Sequence, residues 1–94
     1  MEWMKFYYAN PTPDRLVAEL ETYDRDRVLE PVERRIAVAT FVGRVFAANP
    51  ARVPEWLDTL SASLASEGAR NTLQLAAYFS NTAESRAWMV KIGG

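Results

Sequence analysis

The sequence has no cysteine and no histidine among its 94 residues. Without cysteine the chain cannot form a disulfide, a thiolate zinc site or a cysteine nucleophile. Without histidine it lacks the commonest general base and the commonest metal ligand in proteins. These two absences, together with the scattered glycines and the solvated carboxylates described next, lead us to expect no metal ion, no cofactor and no catalytic residue.

Glycine is scarce, and its four copies are scattered at positions 43, 68, 93 and 94. A phosphate-binding loop needs several glycines close together before a helix, so the sequence excludes such a loop. The close carboxylate pairs lie among arginines in segments expected to be solvated; they are Glu19 with Glu21, Asp24 with Asp26, and Glu30 with Glu33. Acid–base catalysis needs two carboxylates in differently tuned surroundings. An enzyme that uses carboxylates alone is therefore the most remote function considered.

Neither sign of charge is in excess, because 11 lysines and arginines face 12 aspartates and glutamates. With a net charge of −1 the chain lacks the basic face that nucleic-acid binding depends on. Arg34, Arg35 and Arg44 interrupt the most apolar stretch, which therefore cannot span a membrane. The N-terminal residues also lack the apolar run of a secretory signal. We expect a cytoplasmic protein that binds neither nucleic acid nor membranes.

The chain does contain a long apolar stretch at its centre, which predicts a helix over residues 31–48. Pro31 suits the first helical turn, and Pro50 favours a helix end just before it. One face carries Val32, Ile36, Ala39, Gly43 and Phe46, and the opposite side carries Val38, Phe41, Val42 and Val45. A helix that is apolar around most of its circumference is buried, so this helix is expected at the centre of the core. Gly43 predicts a close crossing by a neighbouring helix.

Two elements are predicted before the central helix. Residues 1–9 favour a helix because Trp3 and Tyr7 are four apart, although their aromatic richness leaves a strand open. A proline-rich break follows, and Thr12 is expected to cap the next helix. That helix packs through Leu16, Val17, Leu20 and Tyr23.

Three further helices are predicted after it. One begins near Pro54 and packs through Trp56, Leu57, Leu60 and Leu64. Gly68 is expected to end it in the left-handed conformation, before a helix over residues 69–80. That helix is expected to pack through Leu73, Ala76, Ala77 and the Leu75–Phe79 pair. Asn81 is expected to cap the last helix, with Glu84 at the spacing of a capping box. The packing residues of the last helix are Trp88, Met89 and Ile92.

One junction recurs three times: an apolar helix ends, an asparagine follows, and an amphipathic helix begins. The asparagines are Asn10, Asn49 and Asn81. A period of roughly 30 to 45 residues with two helices per unit is typical of α-solenoids. We therefore expect one all-α domain over residues 1–94, built of five to six helices around the central one. It is either a short α-solenoid of two to three helix pairs with boundaries near these asparagines, or a compact bundle in which the recurrence is chance.

Two segments carry a resemblance: YYANPTPDRLVAEL at residues 7–20 and FAANPARVPEWLDTL at residues 46–60. On these residues the chain resembles uncharacterised bacterial α-helical repeat proteins, α-solenoids of the HEAT or tetratricopeptide kind. The resemblance covers about residues 5–60, and the full tetratricopeptide signature is absent. It implies a binding scaffold and carries over no catalytic residue.

Aromatic and apolar side chains crowd both terminal elements. They either pack on the core, which we favour for Phe6 and Trp88, or they bind a partner. Tryptophan and tyrosine are enriched at binding hot spots, and α-solenoids normally end in polar faces. The candidate partner-binding residues are Trp3, Tyr7, Tyr8, Trp88 and Met89.

These observations favour a non-enzymatic protein–protein interaction module, a helical scaffold that binds through an aromatic and apolar face. Its partner is another protein or a second copy of the chain, since two-fold homodimers are the commonest oligomers. The alternative is a small inhibitor or regulator from a phage or mobile element that occludes a larger target.

Overall fold

The computed structural model describes the backbone of residues 2–93 and the side chains of residues 3–91. Helices are the only regular elements in this part of the chain, so the predicted all-α class and helix number are confirmed. They are α1 (Glu2–Phe6), α2 (Leu16–Arg25), α3 (Val32–Ala48), α4 (Val53–Ser63), α5 (Glu67–Ser80) and α6 (Ala83–Gly93). Short 3-10 turns follow α1 at Tyr7–Ala9 and precede α2 and α4 at Pro13–Arg15 and Pro50–Arg52. The side chain of Ile92, predicted to pack, lies outside the described residues.

The helices form two layers. In the first, α3 packs closely against α5, and α1 lies on the other side of α3. There the rings of Trp3 and Tyr7 each meet Phe41 edge to face, with centroids 5.2 Å apart. The second layer consists of α2, α4 and α6, because α4 contacts both of the others. The core lies between the layers, where Phe46 of α3 stacks on Trp56 of α4 with centroids 5.8 Å apart.

The helices α3 and α5 run in the same direction, and so do α2 and α4. Arg35 near the start of α3 lies beside Gly68 near the start of α5, and Gly43 lies beside Phe79 near the end of α5. In the other layer, Asp14 before α2 pairs with Arg52 before α4. Two hairpins, α2–α3 and α4–α5, are therefore stacked in the same orientation. Asn10, Asn49 and Asn81 each directly follow a helical element, and the division into helix-pair repeats stays a prediction.

The core is made of apolar side chains from all six helices and the segments that join them. The fully buried large side chains are Leu16, Leu20, Leu29, Val38, Val42, Val45, Phe46, Val53, Trp56, Leu57, Leu60 and Leu64. Burying one such side chain contributes about 1.5–3 kcal/mol, so this set supplies most of the driving force for folding. The predicted packing faces of the second and fourth helices are confirmed, with Tyr23 also buried and Val17 half-buried against the core.

One end of α3 is less buried than predicted. Val32 and Ile36 are 58% and 48% exposed, although their spacing placed them on the core face. Arg35 takes their place against α5, because its guanidinium reaches back to donate to the carbonyl oxygens of Leu29 and Glu30, both at 2.7 Å. The prediction that α3 is buried on most of its circumference is therefore wrong for its first two turns.

Pro31 also differs from the prediction, because it precedes the first turn of α3 rather than lying within it. Its backbone is extended, with ψ of 134°, and its carbonyl oxygen accepts from the amides of Arg34 and Arg35. Pro31 is thus the N-cap residue of α3. The predicted helix end before Pro50 is confirmed, since α3 ends at Ala48.

Gly68 does not end a helix, which corrects the prediction. The fourth helix ends at Ser63, and α5 begins at Glu67 with Ser66 as its N-cap. The Ser66 hydroxyl accepts a hydrogen bond from the amide of Ala69 at 3.1 Å, which satisfies one of the free donors at the helix start. Gly68 lies in that first turn because a larger residue would collide with the carbonyl oxygen of Leu29. The glycine therefore serves close packing rather than a left-handed turn.

The predicted caps of α2 and α6 are also corrected. Asn81 adopts the left-handed conformation, with φ of 49°, and ends α5. Thr82 caps α6 instead, because its hydroxyl accepts from the amide of Ser85 at 3.0 Å. Thr12 makes no cap hydrogen bond; its hydroxyl accepts from the indole nitrogen of Trp3 at 3.0 Å. The hydroxyl oxygen of Thr12 therefore binds the indole of Trp3 in α1 instead of an amide at the start of its own helix.

An arginine stands at the fourth position of α3, α5 and α6, and folds back on the segment before its helix. Arg35 donates to the carbonyl of Leu29, and Arg70 donates to that of Leu64 at 3.1 Å. Arg86 donates to the carbonyl of Asn81, also at 3.1 Å. We call this contact the arginine clasp. It fixes the direction in which the chain enters each of the three helices.

Candidate interaction surface

The candidate binding residues divide into buried and exposed ones. Trp3 and Tyr7 are 5% and 6% exposed and pack edge to face, and Trp88 is buried against the fourth and fifth helices. Burial, together with the neighbouring phenol of Tyr8, raises the pKa of Tyr7. These three side chains belong to the core. Tyr8 is exposed and Met89 is half-buried, so two of the five predicted residues reach the surface.

Phe6 corrects the prediction in the other direction, because it is exposed rather than packed on the core. It borders a cleft of about 220 Å³ that is also lined by Trp3, Tyr7, Asn10, Thr12 and Arg15. Lys5 lies over the Phe6 ring at 5.4 Å from its centroid. The N-terminal segment thus exposes two aromatic rings, those of Phe6 and Tyr8, next to the cation of Lys5.

A larger apolar surface lies where α5 meets α6. We call it the aromatic groove, and its lining residues are Tyr78, Phe79, Asn81, Arg86 and Met89. Its volume is about 530 Å³, more than twice that of the N-terminal cleft. Tyr78 is 68% exposed and Phe79 is 42% exposed, with their rings 5.9 Å apart and edge to face. Consecutive exposed aromatic rings of this kind are typical of protein-binding surfaces.

The groove is held in place by a hydroxyl network beneath it. Ser80 and Ser85 are buried and share a hydrogen bond of 2.7 Å, and Thr82 donates to Ser85 at 2.8 Å. Because each hydroxyl has a partner, this buried polar cluster holds the turn between α5 and α6 without leaving an unsatisfied group. The groove is therefore presented by a rigid junction.

Arg86 is the one charged residue among the described residues that line the groove. Its guanidinium donates to both the carbonyl and the side-chain oxygen of Asn81, at 3.1 and 2.7 Å, which holds the cation at the rim. Within residues 3–91, whose side chains the structure describes, no carboxylate lines the groove. The surface therefore combines apolar area with one positive charge, which suits an apolar side chain next to an acidic one.

Sequence reasoning missed Tyr78 and treated Phe79 as a packing residue. The signal was available in their order, because two consecutive residues on a helix point about 100° apart. When one side of the helix already carries Leu73, Ala76 and Ala77 in the core, both aromatic residues cannot be buried. An aromatic pair of this kind predicts at least one exposed ring.

The described residues hold no group of three acidic side chains that could bind a metal ion. Within the same part of the chain, no helix combines the length and the apolar character that a membrane span requires. No protein-family model, no curated protein and no solved structure matches this chain. The surface itself is therefore the basis for a functional proposal.

Proposed function

We propose that this chain is a non-enzymatic protein–protein interaction module that binds through the aromatic groove. The observation that carries the proposal is the exposure of Tyr78 and Phe79, at 68% and 42%, beside Met89 in one groove. Leaving two aromatic rings in water forgoes a large part of their burial energy. A partner that covers them would recover that energy.

The stacking of the two hairpins also supports the proposal. Helix pairs that stack in one orientation produce extended surfaces, which α-helical repeat scaffolds use for binding. The groove lies at the end of this stack, on α5 and α6, where the α5–α6 turn is held by Ser80 and Ser85. The binding surface is therefore pre-formed, which lowers the entropic cost of association.

The test is site-specific photo-crosslinking in the cells from which the gene comes. Tyr78 is replaced by the photoreactive residue p-benzoylphenylalanine, and a matched variant carries it at Thr59, an exposed position on α4. We expect a discrete heavier adduct from position 78 and none from position 59. The absence of an adduct at position 78, or the same adducts at both positions, would contradict the proposal.

A second substitution in the groove shows whether the adduct depends on this surface. Phe79→Ser, added to the position-78 probe, is expected to remove the adduct because it deletes the second ring. Val90→Ser serves as the control, since Val90 is an exposed apolar residue that does not line the groove. An adduct that survives Phe79→Ser would show that the groove is not the binding surface.

A further inference from the structure

A second exposed apolar surface lies along the junction of α3 and α5. Val32, Ile36 and Gly43 fall on one side of α3, because their spacings of four and seven residues return to the same face. Gly43 contacts Phe79 of α5, so this side of α3 faces the groove between the two helices. The exposed side chains of Val32 and Ile36 therefore lie on the same face as Phe79, and Leu75 is half-buried one turn before it. We call these four residues the α3–α5 strip.

The strip has its apolar residues at both ends. Because α3 and α5 run parallel, Val32 and Ile36 lie near the starts of the helices and Phe79 lies at the level of Gly43. Seven to eleven residues at 1.5 Å each separate the two ends by about 10–17 Å. Ala37 and Thr40 are exposed residues of α3 between them.

Opposite charges stand beside the two ends. Glu33 follows Val32, and Arg44 follows Gly43, and both side chains are exposed. They are eleven residues apart on the same side of α3, which corresponds to about three helical turns or 16 Å. The ion pairs among the described residues are Arg15 with Glu19 and Arg52 with Asp14, so neither Glu33 nor Arg44 belongs to one.

We propose that the α3–α5 strip pairs with the same strip of a second copy of this chain, in antiparallel orientation. A two-fold axis across the middle of α3 exchanges the two ends of the strip. It places Val32 and Ile36 of one copy on Phe79 of the other, and Glu33 of one copy on Arg44 of the other. Each apolar contact and each ion pair then forms twice, as an isologous interface requires.

The antiparallel pairing is favoured over the parallel one because the parallel one brings like charges together. In a parallel pairing, Glu33 would meet Glu33 and Arg44 would meet Arg44, and like charges in an interface are strongly unfavourable. The small side chains of Ala37 and Thr40 lie at the centre of the antiparallel interface, where they allow the two copies of α3 to approach closely. The inference goes beyond the proposed function, because it assigns a second binding surface, which shares Phe79 with the aromatic groove.

The experiment is charge reversal followed by mixing. Glu33→Arg and Arg44→Glu are prepared separately, and their masses are measured by light scattering over a dilution series, with helicity checked by circular dichroism. Each reversal creates two repulsive contacts per dimer, so each variant alone is expected to raise the dissociation constant about tenfold or more. An equimolar mixture restores both ion pairs and is expected to dimerise like the wild type. Asp58→Arg on α4 is the control, because it makes the same charge change as Glu33→Arg away from the strip.

Three results would overturn the inference. They are a wild-type chain that stays monomeric at every concentration, a dimer whose dissociation constant is changed by neither reversal, and a mixture of the two variants that fails to dimerise. A monomer that still gives an adduct from position 78 with a different protein would overturn the second-copy inference and leave the proposed function standing. A dimer with the expected reversal pattern but no adduct from position 78 would leave the second-copy inference standing and contradict the proposed function.

Discussion

Gly43 of α3 lies so close to Phe79 of α5 that a Cβ added to the glycine would stand 3.1 Å from the Cβ of the phenylalanine. The carbonyl oxygen of Ala76 would be 3.2 Å away. This contact is the close crossing that the glycine predicts, and it brings the central helix directly onto the backbone of α5. The two glycines of this interface, at positions 43 and 68, therefore determine how near the helices can come.

We expect the two glycines to respond differently to alanine. Gly43→Ala gains about 1 kcal/mol in helix propensity and loses a similar amount to crowding, so the free energy of unfolding should change by less than about 1 kcal/mol. Gly68→Ala places its Cβ against the carbonyl oxygen of Leu29, which the clasp of Arg35 holds in place. It should lower the free energy of unfolding by about 1–3 kcal/mol. Urea denaturation measures both, and equal stability of Gly68→Ala and wild type would contradict the packing described above.

Asp24 joins the end of α2 to the start of α5. Its carboxylate accepts from the amide of Ala65 at 2.8 Å and from that of Ser66 at 3.4 Å. Burial raises the pKa of Asp24, but hydrogen bonds from Ser66 and Ala65 and the charge of Arg70 outweigh it and hold this pKa below its ordinary value of 3.8. The ionised carboxylate therefore stabilises the fold above pH 3.8, and this contribution is lost as the pH falls through the lower folded pKa.

Asp24→Ala should cost about 0.5–2 kcal/mol at neutral pH, as the loss of a helix-capping carboxylate does. The variant should also show a weaker loss of stability on acidification than the wild type. Asp26→Ala is the matched control, because Asp26 is exposed and should leave both quantities nearly unchanged. The measurement is the urea midpoint at a series of pH values from 2 to 7, and identical acid profiles for wild type and Asp24→Ala would refute the assignment.

Tyr23 buries a phenol whose hydroxyl has no hydrogen-bond partner among the described residues. Burial and the negative charge of Glu19 raise the pKa of Tyr23 to about 12, against an ordinary value of 10.0. The neutral phenol is therefore favoured in the folded state. Its contribution is fully present below pH 10 and is lost as the pH rises towards 12.

Tyr23→Phe removes the unsatisfied hydroxyl, so the free energy of unfolding at pH 7 should stay equal or rise by about 1 kcal/mol. In the wild type, stability should fall by on the order of 2 kcal/mol between pH 10 and 12, and in the variant this part of the decline should be absent. Tyr78→Phe, at an exposed phenol, is the control and should decline like the wild type. A loss of stability in Tyr23→Phe at pH 7 would mean that the hydroxyl is bonded after all.

Alanine substitutions at Trp3 and Tyr78 should distinguish a core side chain from a surface one. Trp3 is buried against Phe41 and Tyr7, so Trp3→Ala should lower the free energy of unfolding by about 3–5 kcal/mol. Tyr78 is exposed, so Tyr78→Ala should stay within about 0.5 kcal/mol of wild type. Circular dichroism during urea titration gives both stabilities. Equal losses in the two variants would show that the assignment of core and surface is wrong.

The sequence predicted the parts of this fold that depend on local pattern. The apolar spacing of α3, the proline boundaries before α2 and α4, and the close crossing at Gly43 all depend on residues a few positions apart. The order of helices could be read from these signals alone. Apolar periodicity marked the α2 and α4 faces correctly because each of those helices has one polar side.

The parts that failed depend on contacts between distant residues. Gly68 was compatible with a helix end, and only the position of Leu29 beside it explains why it lies inside α5. The sequence was compatible with Thr12 as a cap, but in the structure the Thr12 hydroxyl accepts from the indole of Trp3. Val32 and Ile36 have core spacing, yet Arg35 fills the α3–α5 contact next to them. Competition of this kind between equivalent local choices is decided by tertiary structure.

The arginine clasps bear on how a protein of this kind can change in length during evolution. Arg35 and Arg70 reach back to the carbonyls of two buried leucines, Leu29 and Leu64, and each clasp uses only atoms of its own hairpin. A copied hairpin would therefore carry with it the contacts that start its second helix. Duplication or deletion in steps of about 35 residues would keep each clasp arginine with its carbonyl, whereas a shorter insertion between them would separate the two. Natural variation in length should accordingly come in whole hairpins.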